Sequence, residues 1–453
     1  MSRLDTIKTF KDKLFAAAKT AGFTEYELYY TGSTSFSAKI LNQNVEEYKN
    51  TAPSGLSFRG LYNGNMGYAY SEQIDASSID FIVNAAKINA DLREDNDETL
   101  FTGSDTYPTA KPVSQHLATP TPDQKIDWAK TMEAHAKSLD PRVIAVDYCV
   151  LGDGTGEVYI ANSHGLELHE ASGSGSGYIG VRVQEGESVK QGFEIWVGRD
   201  FEHFDPLVVA QAAVNKALKK LGATSIPTGD YSVIIENETV IDLLSAFSSN
   251  FFAEQVQKGF SLLKDKIDTQ IAGTNITIHD NIAHPDSLRE ATFDSEGVAV
   301  YDKTIIDKGV LKTYLYNLKS ANKEGRASTG NGYKPGFKGS VVTGFNNFYI
   351  EPGDTSIEQL LSDFSGVWID DFMGLHAGAN AISGDFSLQA NGFLYEKGQL
   401  VKAVEQITVA GNFYELLKNV DTVASDLRFY AGSGLGAPSL LVNGLKVSGE
   451  GEK

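Results

Sequence analysis

The sequence predicts an α+β fold, with N-terminal mixed α/β subdomains followed by a largely antiparallel β C-terminal domain. Residues 3–21 carry a helical stripe of apolar residues, and the strand-like segments that follow are flanked by a second helical stripe from about Ala76 to Leu92. Residues 290–450 are mainly short β-prone runs separated by turns that contain glycine. Such a pattern is typical of an antiparallel sheet or a partial barrel.

The N-terminal half divides at a proline-rich stretch. Residues 107–123 hold four of the twelve prolines, and proline removes a backbone donor and fixes φ, so we expect a crossing segment without regular structure. Helix-period residues from Asp127 to Leu139 and from Pro206 to Leu221 enclose a run of hairpins. The predicted division is an N-terminal α+β subdomain, the crossing segment, a second α+β subdomain and the C-terminal β-rich domain, with bounds 1–106, 107–123, 124–226 and 227–453.

Composition and charge limit the classes of partner. The 453 residues carry a formal net charge of −20, with no local basic patch, and such a field repels the phosphates of nucleic acids. No window approaches the roughly 20 consecutive apolar residues that span a bilayer. The single cysteine cannot form an internal disulfide, and no signal-peptide pattern precedes the first helix. We therefore expect a cytoplasmic protein that binds neither nucleic acid nor membrane.

The stretch 231–261 reads as a strand that leads into a long helix. Residues 232–235 are β-prone, and Asn237 is placed to cap the helix N-terminus. The helix is expected to continue to about Gly259, a residue suited to a left-handed C-cap. Its buried stripe comprises Val240, Leu243, Leu244, Phe247 and Phe251.

This strand and helix, with the exit Lys-Gly-Phe-Ser at 258–261, resemble the start of the C-terminal domain of the TldD/PmbA family. In the TldD branch, a zinc-protease motif HExxxH directly follows the Leu-Leu pair. Here the motif's two histidine positions are Ser245 and Asn250, and the position of its catalytic glutamate is Ala246. The resemblance is thus to the PmbA branch, also called TldE, which lacks the zinc motif.

The resemblance extends over nearly the whole chain, in the family's order. It includes Val-Tyr-Ile-Ala-Asn-Ser-His-Gly-Leu at 158–166, Ser-Thr-Gly-Asn-Gly at 328–332 and Val-Ala-Gly-Asn-Phe at 409–413. In the zinc-binding branch a C-terminal cysteine completes the metal site, and its counterpart here falls within residues 431–438, which contain no cysteine. The resemblance implies that this chain has no catalytic residue, no metal and no other cofactor.

Other metal-site candidates are weak. His164 with His169, and His279 with His284, keep the five-residue spacing, but neither pair has a glutamate after its first histidine and both lie in strand or turn sequence. We interpret them as exposed turn histidines. Cys149, in a strand, is interpreted as a buried core thiol.

A peptide groove is the remaining candidate site. Asp370, Asp371 and His376 in WIDDFMGLHAG, and the glycine-rich loop 325–339, are the polar groups expected near it. The alternative is that they are hydrogen-bonded turn residues without a binding role. Loops of this kind leave backbone donors and acceptors accessible to an extended peptide.

The leading functional hypothesis is that the chain is a metal-free subunit that pairs with a zinc-bearing TldD-like homologue, as a heterodimer or higher oligomer. The resemblance implies proteolytic processing of peptides and degradation of labile proteins, with the chain inactive alone. Two alternatives stay open: a free-standing metallopeptidase with unrecognised ligands, and a homo-oligomeric peptide-binding scaffold. A homodimer is compatible with each of them.

Overall fold

Strands outweigh helices in the computed structural model, which describes residues 3–93 and 98–450. Strands make up 41% and helices 24%, and most strand pairs are antiparallel, so the predicted α+β class is confirmed. The helices of the described residues are α1 Arg3–Thr20, α2 Ile79–Asp91, α3 Pro122–Leu139, α4 Pro206–Lys219, α5 Asn237–Phe247, α6 Ala253–Gln257, α7 Leu318–Lys323, α8 Ile357–Leu361, α9 Leu375–Gly378 and α10 Phe413–Lys418.

The strands of the described residues up to Gly198 form one seven-stranded antiparallel sheet, in the order β4-β3-β1-β5-β6-β7 with β2 paired to β1. Its strands are β1 Glu25–Leu41, β2 Asn44–Thr51, β3 Ser54–Tyr62, β4 Asn65–Ser71, β5 Val143–Asn162, β6 Glu167–Glu185 and β7 Ser188–Gly198.

This sheet joins the two N-terminal subdomains of the predicted division. Strand β1 pairs with β5 from Glu27 opposite Asn162 to Lys39 opposite Val150, so the chain on either side of the crossing segment contributes to one sheet. Two hydrophobic cores pack on it. One contains residues of α1 and α2, and the other contains residues of α3 and α4. Cys149 lies fully buried in the second core, as predicted.

The crossing segment runs against the C-terminal domain. Between residue 98 and Thr121 the described chain has no helix or strand, but α3 begins at Pro122, so the last two residues of the predicted segment are helical. The reason is local: Thr121 caps the helix in a capping box and proline is well tolerated in the first turn. The Tyr107 hydroxyl donates to the Gly297 carbonyl oxygen at 2.8 Å.

The C-terminal strands form two six-stranded sheets and one short hairpin. One sheet has the order β17-β16-β15-β8-β21-β18, and β17 also pairs with β21, which closes a ring of strands. The other has the order β11-β10-β9-β14-β20-β19. These strands are β8 Pro227–Ile235, β9 Ile278–Asn281, β10 Lys303–Asp307, β11 Val310–Leu311, β12 Gly332–Tyr333, β13 Val342–Thr343, β14 Asn347–Ile350, β15 Gly366–Met373, β16 Asp385–Glu396, β17 Gln399–Asn412, β18 Val420–Val423, β19 Arg428–Phe429, β20 Leu435–Ala437 and β21 Leu440–Glu450.

Among the strand pairs of the described C-terminal residues, only β8 with β15 and β14 with β20 run parallel. The predicted largely antiparallel domain is therefore confirmed. Its largest hydrophobic core contains the buried face of α5 together with residues of both six-stranded sheets.

The long helix predicted from Asn237 to Gly259 is wrong in its extent. Helix α5 ends at Phe247, a 3₁₀ turn covers Ser248–Phe251, and α6 follows only after Phe252, whose backbone is extended. The break comes from tertiary pairing: the Leu315 amide donates to the Phe251 carbonyl, and the Ala253 amide donates to the Leu315 carbonyl at 2.9 Å. These bonds replace helical ones. The N-cap position of α5 is Glu236 rather than Asn237.

Residues 3–93 and 98–450 contain no helix with the length and apolar character needed to cross a membrane.

Candidate functional site

The three positions of the family zinc helix lie at the end of α5 and just beyond it. Ser245 is exposed and Ala246 half-buried, whereas Asn250 lies past the helix end, in the 3₁₀ turn, and is 1% exposed. Neither polar atom of the Asn250 side chain has a hydrogen-bond partner among the described residues. A serine hydroxyl and an asparagine amide are poor zinc ligands, and alanine cannot act as a base. These residues do not fit a catalytic zinc ion.

The segment that corresponds to the family's C-terminal cysteine packs on the same helix. Strand β20, which ends this segment, contacts α5. At Gly434 the backbone φ is +76°, and a Cβ there would lie 2.0 Å from the Asn346 carbonyl oxygen and 2.8 Å from Cδ of Arg289. A side chain at 434 would therefore clash as well as strain the backbone. The two segments aligned from the sequence with the family's metal site are therefore neighbours in the fold.

The histidine pairs considered from the sequence do not form a larger cluster. Among residues 3–93 and 98–450, no group of three or more His, Cys, Asp or Glu side chains is arranged to hold a metal ion. Nε2 of His164 and Nε2 of His169 each lie 3.4 Å from a glutamate oxygen. His279 and His284 both pack against the Tyr349 ring. His164 and His169 are exposed, as interpreted from the sequence, whereas His279 and His284 are half-buried.

Asp370 and Asp371 line a cavity of about 450 Å³ between α4 and the C-terminal ring of strands, which we call the charged cleft. Nζ of Lys220 lies 3.1 Å from Oδ2 of Asp370. Burial, with the nearby carboxylates of Asp370 and Glu238, raises the pKa of Glu236 to about 7. His376 is exposed on α9 and does not line this cleft, so the predicted trio is only partly brought together.

The glycine-rich loop 325–339 contributes to a different cavity, the interdomain cleft, of about 460 Å³. This cleft lies between the N-terminal sheet and the C-terminal domain, and residues 330–334 of the loop form part of its wall. Its titratable and aromatic lining residues are Tyr29, Glu157, Glu170, Arg289, Glu290, Phe293, Asp294, Tyr333, Lys334 and Phe345. The sequence placed this loop in one groove with the two aspartates, and the structure separates them.

Buried carboxylates shape the interdomain cleft. Asp294 accepts hydrogen bonds from the amides of Gly332 at 2.7 Å and Glu296 at 2.9 Å. These hydrogen bonds fix the turn at 294–297 and the loop that packs on it. Burial raises the pKa of the Asp294 carboxyl group and that of the Glu296 carboxyl group. Arg289 and Lys334 were not singled out from the sequence, because nothing local distinguishes them from surface cations.

Comparisons with known proteins agree with this architecture. Three family models match the chain: PmbA/TldA metallopeptidase domain 1 at residues 26–90, the central domain at 115–221 and the C-terminal domain at 228–449. A metalloprotease PmbA homolog of Haemophilus influenzae is 27% identical over 96% of this chain and 94% of that protein.

Solved structures match over the full length as well. A protein of Thermotoga maritima described as a modulator of a DNA gyrase is 31% identical, with a TM-score of 0.89, over 97% of this chain and 100% of that one. TldE from Thermococcus kodakarensis is 22% identical with a TM-score of 0.89, over 97% of this chain and 100% of that one, and shares the fold. From its domains, its fold and these relatives, this chain belongs to the PmbA/TldD metallopeptidase family.

Proposed function

We propose that this chain is the metal-free, PmbA/TldE-like subunit of a TldD/TldE-type zinc metallopeptidase complex that processes or degrades peptides. One observation carries the proposal: the zinc-helix positions hold Ser245, Ala246 and Asn250, and Asn250 sits buried beyond the end of α5. Catalytic zinc sites need three protein ligands and an activated water. In this chain Ser245 and Asn250 stand at two of the ligand positions and Ala246 stands at the position of the general base, and none of the three has the side chain that its role requires.

The zinc would then come from a partner. A zinc-bearing TldD-like homologue, joined as a heterodimer or a higher oligomer, would cleave the peptide, and this chain would help to bind it. The charged and interdomain clefts are two cavities of the described residues with room for part of a peptide. With one cysteine, buried and unpaired, the chain has no disulfide that would favour an oxidising compartment, and we place it in the cytoplasm.

The first test measures zinc and activity in the isolated chain. After dialysis against trace zinc, plasma emission spectrometry should find well under one zinc per chain, and casein or a short peptide should remain uncleaved. Since the ligand positions lack imidazole and thiolate, tight binding is not expected. About one zinc per chain together with chelator-sensitive cleavage would favour the free-standing metallopeptidase instead.

A variant extends this test. The triple change Ser245→His, Ala246→Glu, Asn250→His should still bind zinc weakly, because position 250 is buried in a 3₁₀ turn and the cysteine is missing. Adding the cysteine at Gly434 would clash with Asn346, so the neighbouring positions 433 and 435 are the ones to try. Micromolar or tighter zinc binding by the triple variant alone would contradict the requirement for the cysteine.

Co-purification separates the subunit hypothesis from the scaffold hypothesis. A tagged chain co-expressed with a zinc-bearing TldD-like homologue should recover that homologue, and the pair should cleave peptide. Recovery of only the tagged chain, as a homo-oligomer that binds peptide, would favour the scaffold.

A further inference from the structure

The interdomain cleft contains two cations without a carboxylate partner. Arg289 is half-buried; its Nη1 donates to the Ser433 carbonyl oxygen at 3.1 Å, and its guanidinium lies 5.8 Å from the centroid of the Tyr333 ring. Lys334 is 7% exposed, donates from Nζ to the Ser57 hydroxyl, and lies 4.9 Å from the Tyr29 ring centroid. No carboxylate oxygen of the described residues lies within 4.0 Å of either cation.

This is unlike the other buried cations of the described chain. Arg59 pairs with Glu27 at 2.7 Å, and Lys303 pairs with Asp280 at 3.2 Å. The remaining one is also paired with a carboxylate: Lys125 contacts Asp153. A buried charge without a counter-ion is costly, so proteins nearly always pair it. Lys334 is the exception, and it lines the same cavity as Arg289.

The acids that line the cleft are already engaged elsewhere. Glu170 accepts from the amide and the hydroxyl of Thr292, at 2.9 and 2.7 Å. Glu290 pairs with Arg199 at 2.6 Å, and Asp294 is held by backbone amides. The fourth acid, Glu157, accepts from the hydroxyl of Tyr30. None of these groups is left to neutralise the two cations, yet all four make the surroundings negative.

We infer that the interdomain cleft binds one carboxylate group of a peptide ligand, with Arg289 as its direct partner and Lys334 as the second cation. The guanidinium fork matches a carboxylate in a two-bond geometry. Phe293, Phe345 and Tyr29 supply apolar surface for the chain next to that carboxylate. The choice of a peptide as the carrier of the carboxylate rests on the proposed function.

Charge and size favour a carboxylate over a phosphate. A phosphate would bring nearly two negative charges into a cleft with four acidic side chains, whereas a carboxylate brings one. Burial lowers the pKa of Arg289, and lowers the pKa of Lys334 to about 8, which is the direction expected for cations held without an anion. A cavity of about 460 Å³ is in the range that holds small ligands or a few residues of a peptide.

Calorimetric titration of the full chain with three probes tests this inference. The probes are N-acetylated tetraalanine with a free C-terminal carboxylate, the same peptide as the C-terminal amide, and the amide with one internal glutamate. The free acid, the glutamate peptide or both should bind about 10-fold or more tightly than the plain amide, as expected for a charged hydrogen-bonded pair. Which of the two binds tells whether the carboxylate is a chain end or a side chain.

Variants assign the effect to the cleft. Arg289→Met should remove the preference for carboxylate probes and leave the weak affinity for the amide unchanged. Arg142→Met is the matched control, since Arg142 is paired with Asp140 and Glu185 away from the cleft, and it should bind like the wild type. If Arg289→Met does not fold, Lys334→Met replaces it, with the same expected loss.

Equal affinity for all three probes, no binding of any of them, or unchanged preference in Arg289→Met would overturn the inference. Stronger competition by inorganic phosphate than by acetate would overturn the carboxylate assignment. These outcomes are distinct from failure of the proposed function, which is measured by zinc content and partner recovery without any peptide probe.

Discussion

Asn250 carries a buried amide that no group of the described chain satisfies. Its side-chain nitrogen and oxygen both lack partners, although the residue is 1% exposed. A buried polar group without hydrogen bonds costs about 1–3 kcal/mol. Position 250, aligned from the sequence with a zinc ligand of the TldD branch, is therefore a locally destabilising position in this chain.

Replacing this amide with an apolar group of similar size should stabilise the protein. We expect Asn250→Leu to raise the free energy of unfolding by about 1–2 kcal/mol, since the desolvation cost disappears. Urea unfolding measures the change. Asn317→Leu is the control: Asn317 is equally buried, but its Oδ1 accepts from the Ser320 amide at 2.8 Å as a helix cap, so this variant should be destabilised. A destabilised Asn250→Leu would mean that the amide has a partner.

Glu236 gives a pH dependence with a definite sign. Burial first, and then the charges of Asp370 and Glu238, raise its pKa from 4.5 to about 7. Between these pH values the folded state holds more protons than the unfolded state, so the free energy of unfolding falls as pH rises from 4.5 to 7. The loss from this group is on the order of 2–3 kcal/mol.

The variant Glu236→Gln should therefore match the wild type at pH 4.5 and exceed its stability at pH 8, as measured by urea unfolding. Asp140→Asn is a control of opposite sign. The Arg142 side chain, followed by its backbone amide, lowers the pKa of Asp140 to about 2, so Asp140 stabilises the fold above pH 4 and that contribution is lost as pH falls towards 2. Equal pH profiles for Glu236→Gln and wild type would contradict the raised pKa.

At the scale of elements, the position of α5 is set by the side chains that pack on it. Phe247, the last residue of α5, is fully buried, and its ring stacks on that of Phe413 with the centroids 4.6 Å apart. Phe251 packs against Phe348 from the following 3₁₀ turn. The aromatic residues of the apolar stripe are in the core as expected, although the backbone between them is no longer one helix.

Truncation of Phe247 should therefore cost much more than truncation of a surface aromatic. We expect Phe247→Ala to lower the free energy of unfolding by about 3–5 kcal/mol, because it leaves a cavity in the main core. Phe81→Ala, at a residue 64% exposed on α2, should change it by less than about 0.5 kcal/mol. Chemical unfolding of both variants is the measurement. Similar costs at the two sites would show that α5 does not organise the core.

At the scale of the whole molecule, two clefts mark where the N-terminal sheet meets the C-terminal domain. Salt bridges join the N-terminal half to the C-terminal domain, such as Lys220 with Asp370, which both line the charged cleft, and Arg428 with Glu194. Large apolar side chains also remain exposed on the C-terminal half, among them Phe260, Leu262 and Leu400. Exposed apolar residues mark subunit interfaces where they form a contiguous patch.

We predict that the C-terminal domain supplies a subunit interface. Obligate interfaces bury upwards of about 2,000 Å², so the assembly should persist at micromolar concentration. Sedimentation velocity of the chain with a zinc-bearing TldD-like homologue should show a species heavier than either monomer, whereas an unrelated protease of similar mass should give only separate species. A strict monomer, both alone and with the homologue, would count against the interface.

The sequence by itself determined the secondary-structure pattern and the family of this protein. Turn residues and two-residue alternation are properties of neighbours in the chain, so they predicted the α+β class and the antiparallel C-terminal domain. Ordered short motifs likewise identified the family, and the residues at 245, 246 and 250 are visible without any structure.

Only the tertiary structure decided which distant residues meet. The pairing of Leu315 with the chain around Phe252 ended α5 early, and the long pairing of β1 with β5 joined the subdomains through one sheet. The same packing placed Asp370 beside Lys220 and left His376 outside that cleft. It also gathered Arg289 and Lys334 in one cleft, where no carboxylate of the described residues pairs with either. Strand partners, burial and counter-ions depend on contacts between residues far apart in sequence, and no local pattern encodes them.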